Sequence, residues 1–589
     1  RIIAESTAKV PTARLVGNIA LASLGSEDTA GHRFHAIRAG GERIATHQDR
    51  GFGPIAGVLY SVANGDLKVG VQCVSLGRTV NASGNNPPSR LSLRLERRSM
   101  DGTWTAVTPP TGVSEPDYYT LLRVRDHDTS NAHDFRVVMN GEGDTNAIYA
   151  FHVPAEPTGD VVVGGVSCTG VMGRIWGSHR DRLRPGERFS GRWTEANVWM
   201  PWEGVTEPLL QREPDIVFFT GDQLYESNPT PRDAKDSFPV EDYLYKWLIW
   251  HWSFQEVTRR VPVVLQTDDH DVWHPNLWGD GGRLMTSGGD PGGGYLKSIY
   301  FVNLVHRTMA GHNPDAYWPG PLDSGVLNYF TTFTYGGIDF AVLEDRKFKS
   351  ARIDETRQAL PPQLLGNTQL AMLDAWADDP DASTARVVVS QTNYVNLATR
   401  SDTGELSRDR DSHGWPKPAR DRAVELFERA GALLFTGDQH LASVSRLETE
   451  TGPGVVQFCQ PAGGCIWWRW FYPNTEAHRG TPGDPSYLGR FVDGFGNPFE
   501  VMAVANPAPE QELPRRFNPQ RHAVNPSEWE TGIGTTKRIH QGEGFAILHL
   551  EPDRDRATLE CWPYGADVDA GPDGQFPDWP IELRLPASR

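Results

Sequence analysis

Three hydrophobic stretches of this chain each stop at an acidic residue. Asp215-Ile-Val-Phe-Phe-Thr-Gly runs into Asp222, and Val261-Pro-Val-Val-Leu-Gln-Thr runs into Asp268-Asp269-His270-Asp271. Gly431-Ala-Leu-Leu-Phe-Thr-Gly runs into Asp438-Gln439-His440. Runs rich in Val, Phe and Leu read as buried strands. In open α/β sheets, ligands gather outside the carboxyl ends of the strands. One strand ending in Asp is ordinary. Three ending in Asp, or in Asp with His, point to oxygen and imidazole donors converging on metal ions.

Those strands need elements to hold them. Asp160-Val-Val-Val-Gly-Gly-Val-Ser-Cys168 reads as a further buried strand followed by a Gly-containing turn. From there strands alternate with helical patterns at Val240–Arg259, Gly294–Met309, Thr368–Asp378 and Pro418–Arg429. The strand Arg386–Ser390 and two tail strands, Phe545–Leu550 and Ala557–Cys561, complete the set, the tail pair being expected at the sheet edge. This alternation implies an α/β core. Upstream, Val69–Val74, Leu91–Leu95 and Phe135–Met139 are short runs separated by turn clusters such as Asn64-Gly-Asp66, which favours a β-sandwich. Pro154-Ala-Glu-Pro157-Thr-Gly reads as a linker. We therefore expect a β-sandwich over 1–157 and an α/β domain over 158–589, with edge strands at its C-terminal end.

Bulk properties narrow the function. The chain has 589 residues, 38% of them apolar, ample for more than one layer system. Its formal net charge of −18 argues against binding a nucleic-acid backbone, which needs a basic stripe. No apolar run reaches the roughly 18 residues of a membrane span. Leu15–Ser23 is interrupted by Gly-Asn and reads as an ordinary strand. The chain begins at Arg1 without Met, so an upstream piece is expected to have been removed. Five cysteines form an odd set. If one binds metal, the other four form either two disulfides or buried thiols.

At this point an ordered set of short motifs resembles the alkaline phosphatase D (PhoD-like) branch of the metallophosphoesterases. The pieces are Val166-Ser-Cys168, Gly221-Asp-Gln-Leu-Tyr225-Glu, Asp268-Asp-His-Asp271, Leu343-Glu-Asp-Arg346 and Gly437-Asp-Gln-His440. The resemblance covers about residues 160 to 470. It implies a four-layer αββα sandwich with a di- or trinuclear metal centre at the strand ends. Asp222 is then the bridging ligand, Cys168 and Tyr225 supply a thiolate and a phenolate, and Asp269, Asp438 and His440 complete the cluster. His270 is implied to be the acid and not a ligand. A superfamily His ligand has no counterpart near Val388-Val-Ser-Gln391. The implied metals are iron(III) with calcium, with zinc or manganese as alternatives.

The residue types suit that chemistry. Two cations sharing a carboxylate lower the pKa of bound water and neutralise charge on phosphoryl oxygens. Imidazole titrates near the working pH and can protonate a leaving alkoxide. Each assignment has a plainer alternative. Cys168 is either a ligand or a buried thiol, and Tyr225 a ligand or a rim tyrosine. Arg346 either clamps the phosphate with its fork or pairs with Asp345 or Glu344. Asn276 either reaches the cluster as an amide oxygen or caps its loop. Asp271 reads as a carboxylate behind the ligands, and His274, His306 and His312 as loop or helix histidines. Gly463–Trp470 lines a pocket for an apolar or sugar leaving group, or belongs to the core.

The expected function is a metal-dependent, exported hydrolase of small phosphoric esters, of the alkaline phosphatase/phosphodiesterase type, with a metal-bridged hydroxide as nucleophile. The alternatives are a phosphodiesterase or phospholipase with an aromatic pocket and, from another class, a non-catalytic phosphate- or carbohydrate-binding protein. The full set of Asp222, Asp269, His270, Asp438 and His440 argues against the last, because without function nothing needs buried like charges.

Overall fold

The structure is a computed structural model. It describes residues 53–75, 91–140, 147–169, 173–175, 197–199, 203–226, 230, 234–285, 293–351, 361–379, 385–400, 404–450, 452, 454–464, 469–473, 488–506 and 542–585. Residues 51–589 form one compact unit. The expected strand Leu15–Ser23 lies outside the described residues, as do Cys465, Trp467 and Trp468.

Among the described residues, the regular elements of the first part are all strands. β1 (Ile55–Ala63), β2 (Asp66–Cys73), β3 (Ser92–Arg98), β4 (Trp104–Ala106), β5 (Thr111–Gly112), β6 (Tyr119–Val124), β7 (His133–Asn140) and β8 (Ala147–Val153) make two antiparallel sheets. One has the order β1-β2-β6 and the other β4-β3-β7-β8, with β5 paired to β3. Alternate residues of both, such as Val69, Val71, Leu93, Leu95, Val137 and Tyr149, enter one buried cluster, as the period of two demands.

The second part alternates. β9 (Val161–Val166) is followed by a short pair, β10 (Gly173–Ile175) and β11 (Asn197–Trp199), and by α1 (Glu203–Gln211). Then come β12 (Ile216–Phe219), α2 (Ala234–Ser237), α3 (Pro239–Thr258), β13 (Val263–Leu265) and α4 (Ile299–Ala310). β14 (Thr331–Tyr335), β15 (Ile338–Val342), α5 (Asn367–Ala377), β16 (Arg386–Ser390), α6 (Lys417–Ala430) and β17 (Leu433–Thr436) follow. β18 (Ser443–Leu447), β19 (Val455–Cys459), β20 (Gly489–Val492), β21 (Pro498–Val504), β22 (Gly544–Glu551), β23 (Arg556–Pro563) and β24 (Ile581–Arg584) close the fold.

These strands form two mixed sheets. One runs β13-β12-β9-β22-β23-β24 and the other β14-β15-β16-β17-β19-β18-β21-β20. Two runs of strands are parallel to one another: β9, β12 and β13 in the first sheet, β15, β16 and β17 in the second. Strands buried on both faces read as unbroken hydrophobic runs. In β16, Val387 and Val389 face the inter-sheet core while Val388 packs with the helix layer of Met372, Leu373, Val424 and Phe427. β17 repeats this with Leu433 and Phe435 against Leu434. Phe218 and Phe340 meet across the sheets with ring centroids 5.2 Å apart. The tail strands do not simply cap an edge. β22 lies directly beside β9, and β24 is the outermost strand.

Candidate metal centre

Parallel register brings the motif ends level. Val166 pairs with Phe219, and Phe219 with Leu265, so Cys168, Asp222 and Asp268 follow at the same end of one sheet. In the facing sheet Ser390 pairs with Thr436, two residues before Asp438. The chain then turns sharply. Cys168, Asp222, Asp438 and His440 all have left-handed backbones, with φ of 52°, 58°, 66° and 54°. Non-Gly residues rarely adopt this conformation, and where they do they cluster at functional sites. The preceding glycines permit the approach. A Cβ on Gly221 would meet Asp268 Cβ at 2.5 Å, and one on Gly437 would meet the Ser167 and Thr220 hydroxyls at 2.3 Å. Backbone bonds fix the first two turns together: the Cys168 N–H donates to the Gly221 carbonyl at 3.0 Å and the Thr169 N–H to that of Asp222 at 2.9 Å.

Three donor groups result, each with atoms within 4.8 Å of one another: Cys168, Asp222 and His440; Asp222, Asp269 and His270; and Asp268, Asp269 and Asp438. Asp222 belongs to two of them. Tyr225 adds its hydroxyl, 2.9 Å from Asp222 Oδ2 and 3.4 Å from His440 Nε2. The Tyr225 and His270 rings lie 4.3 Å apart. His270 Nδ1 sits 2.7 Å from Glu226 Oε2, and a carboxylate partner fixes the proton on that nitrogen. Nε2 is then the nitrogen left for chemistry. Behind Glu226, Lys246 of α3 donates to the Glu226 carbonyl at 3.0 Å and pairs with Asp242 at 2.8 Å.

Two residues hold the carboxylates from behind. Asp271 is fully buried and accepts N–H bonds from Asp222 (3.0 Å), Leu224 (3.0 Å) and Asp268 (2.9 Å). Arg346 is 1% exposed, with its guanidinium against Asp268, Asp411, Asp438 (2.9 Å) and Asp269 (3.8 Å). Glu344 pairs instead with Lys347 at 2.9 Å, and Asp345 accepts from Thr392. Asn276, with its amide oriented to donate, reaches Asp411 Oδ2 at 3.1 Å. His274 and His312 are buried, and burial pushes their imidazoles down to about 4 and about 3. His306 meets Lys347 Nζ at 3.2 Å.

Electrostatics test whether cations fit here. Burial pushes the Asp222, Asp268 and Asp269 carboxyls well above ordinary values, and neighbouring carboxylates add to the shift. Burial raises Asp438 to about 6 against the pull of Arg346, and Asp271 to about 7 against its three N–H donors. Burial lowers His270, but Asp269, Asp222 and Glu226 outweigh it and carry its pKa well above the usual value. Burial favours a protonated Glu226, yet His270 holds that carboxyl down at about 2. Asp268 Oδ2 is buried with no hydrogen-bond partner among the described residues. A concentration of acids that resists ionisation, with an orphaned oxygen inside it, is what bound cations would relieve. The donor set fits a metal centre.

Comparison with known proteins agrees. Residues 193–468 match the family model described as PhoD-like phosphatase. This segment, just under half of the chain, is similar to the PhoD-like phosphatases. The chain is accordingly a phosphoric ester hydrolase, dependent on a metal centre. A solved structure titled "Structure of PhoD" shares its fold, at 12% identity and a TM-score of 0.53, covering 90% of this chain and 88% of that one. A purple acid phosphatase, PPD1, from yellow lupin (Lupinus luteus) seeds aligns at 11% identity and a TM-score of 0.49, covering 90% and 74%. No curated protein matches by sequence. Cys168 lies upstream of the segment matched to the PhoD-like phosphatases, so its place in the centre stands on geometry.

The structure brings together Cys168, Asp222, Tyr225, Asp269, His270, Asp438 and His440, and places Arg346 and Asn276 at the rim of acids around them. Sequence reasoning missed Asp268 as a donor, Glu226 as the partner of His270, and Asp411 as the partner of Arg346. Glu226 and Asp268 stood inside the quoted motifs. Asp411 carried no local signal. The four described cysteines, Cys73, Cys168, Cys459 and Cys561, are buried thiols. No helix among the described residues is long and apolar enough to cross a membrane.

Proposed function

We propose that the chain hydrolyses small phosphoric esters at this cluster, with Asp222 shared between two cations. Cys168, Tyr225 and His440 would complete one ligand set, and Asp268, Asp269, Asp438 and Asn276 the other. The observation that carries the reading is that Asp222 belongs to two donor groups at the joint end of the two sheets. Cations bound there would supply a hydroxide nucleophile near neutral pH and neutralise phosphoryl charge. The chain's own residues do the rest. His270 donates the proton from Nε2 to the leaving alkoxide, and Glu226 orients the ring through Nδ1. Asp271 fixes the two turns that present Asp222 and Asp268. Arg346 neutralises the acids that surround it.

A thiolate and a phenolate favour iron(III) in the first set, and hard oxygen donors suit calcium in the second. That metal pair, export, and a division at residue 157 between β-sandwich and catalytic domain belong to the same proposal. Elemental analysis combined with assays on p-nitrophenyl phosphate and bis-p-nitrophenyl phosphate tests it. Hydrolysis lost on chelation and restored by metal is expected. Full activity in a protein shown to be metal-free would sink it.

A further inference from the structure

Two arginines come close to the acid cluster, and they differ. Arg346 is 1% exposed, and carboxylates surround its guanidinium. The Arg469 side chain keeps 19% of its surface open. Its Nη2 lies 3.0 Å from Asp409 Oδ2, and its Nη1 donates to Ser412 Oγ at 2.9 Å. A guanidinium has five N–H donors, so two described partners leave part of the fork for a ligand.

The backbone is anchored both before and after Arg469. The Gly464 N–H donates to the Cys168 carbonyl at 3.2 Å, which ties the preceding chain to the ligand strand. The Trp470 carbonyl accepts from the Thr399 N–H at 2.8 Å and from its hydroxyl at 2.9 Å. The Phe471 N–H donates to Asn506 Oδ1 at 2.8 Å. The segment that orients the side chain also serves Arg346: Asp409 and Ser412 take Arg469, and Asp411 takes Arg346. Asp411, two residues from Asp409, pairs with Arg346, which in turn meets Asp438 at 2.9 Å, so the segment that holds Arg469 runs beside the acid cluster.

We propose that Arg469 binds the phosphoryl oxygens of the substrate, aimed by Asp409 and Ser412. This rests on the function proposed above and adds the residue that recognises the phosphate. A partly open guanidinium beside an acid cluster that can hold metal offers the forked, charge-assisted contact that phosphate favours.

The test measures KM and kcat for p-nitrophenyl phosphate, Kd for inorganic phosphate and metal content, in the wild type, Arg469→Gln and Arg469→Lys. Arg469→Gln is expected to raise KM and the phosphate Kd by about ten- to a hundredfold, the size of one lost charged hydrogen-bond pair. Metal content stays at the wild-type level. Arg469→Lys recovers part of the affinity, because the ammonium keeps the charge and loses the fork. Unchanged KM and Kd in both variants would overturn the assignment while leaving an active wild type as a phosphoesterase. Loss of metal in both variants would also overturn it, by placing the side chain in the ligand network. A metal-loaded wild type that neither hydrolyses the ester nor binds phosphate would overturn both readings.

Discussion

Removing the metals should make the fold sensitive to rising pH. In the metal-free protein Asp438 titrates at about 6 and Asp271 at about 7, against an ordinary aspartate value of 3.8. Asp222, Asp268 and Asp269 are raised in the same direction. A carboxyl whose folded pKa is raised holds a proton that the unfolded chain has released, so the native state binds more protons across that window. Stability then falls as pH rises. The raised His270 has the same sign, since its contribution is present below its ordinary value and lost as pH climbs through the folded one. Glu226 acts oppositely, as pH falls from 4.5 toward 2, almost entirely below the window. Asp438 alone shifts by about two units, worth about 3 kcal/mol, and Asp271 by about three, worth about 4 kcal/mol. The two are neighbours in one network and do not add fully, so a loss of about 3–7 kcal/mol between pH 4 and pH 8 is expected. That is comparable with the whole stability of a typical domain. Bound cations reverse the trend, because ligands must be deprotonated to bind them. Denaturant unfolding of chelated and metal-loaded protein from pH 4 to pH 8 reads this directly. The two curves should diverge as pH rises. A metal-free curve that is flat or rises between pH 5 and pH 8 would refute the reasoning.

Other expectations follow from single residues. His270→Ala should retain its metals yet lose about 10²–10⁴-fold in rate, less on p-nitrophenyl than on alkyl esters, since a good leaving group needs no proton; metal loss in this variant would make His270 a ligand instead. Asp271→Ala leaves three backbone N–H groups without their acceptor and should weaken metal retention about 10–100-fold, measured by elemental analysis after dialysis. If the first ion is iron(III), the concentrated protein is coloured; Tyr225→Phe should remove part of the visible band, and Cys168→Ser should shift it and weaken iron retention. A colourless, active enzyme holding zinc, manganese or calcium would exclude the ferric assignment.

The sequence made some of this centre legible because the strands are buried on both faces. Val387-Val-Val389 and Leu433-Leu-Phe435 read as strands without any alternation, and the abrupt stop of the second at Gly437-Asp438 marked a candidate ligand position. The amphipathic runs at Val240–Arg259 and Pro418–Arg429 likewise became α3 and α6 within one residue at each end. What stayed hidden depends on contacts between distant parts of the chain. Glu226 meets His270 across 44 residues, and Arg346 meets Asp411 across 65, from a stretch with no hydrophobic period to read. β22 inserts beside β9 although nearly the whole domain separates them in sequence. Local pattern specifies which residue types end a strand. It does not specify which other strand end faces them. The left-handed turns at Cys168, Asp222 and Asp438 are intermediate cases. Gly221 and Gly437 signalled that space was needed, but only the packed sheets show what fills it: Asp268 in one turn, and Ser167 with Thr220 in the other. A Gly-Asp pair at a strand end therefore becomes a ligand signature when the glycine's missing Cβ leaves room for a second motif, and that condition belongs to the pair of strands together.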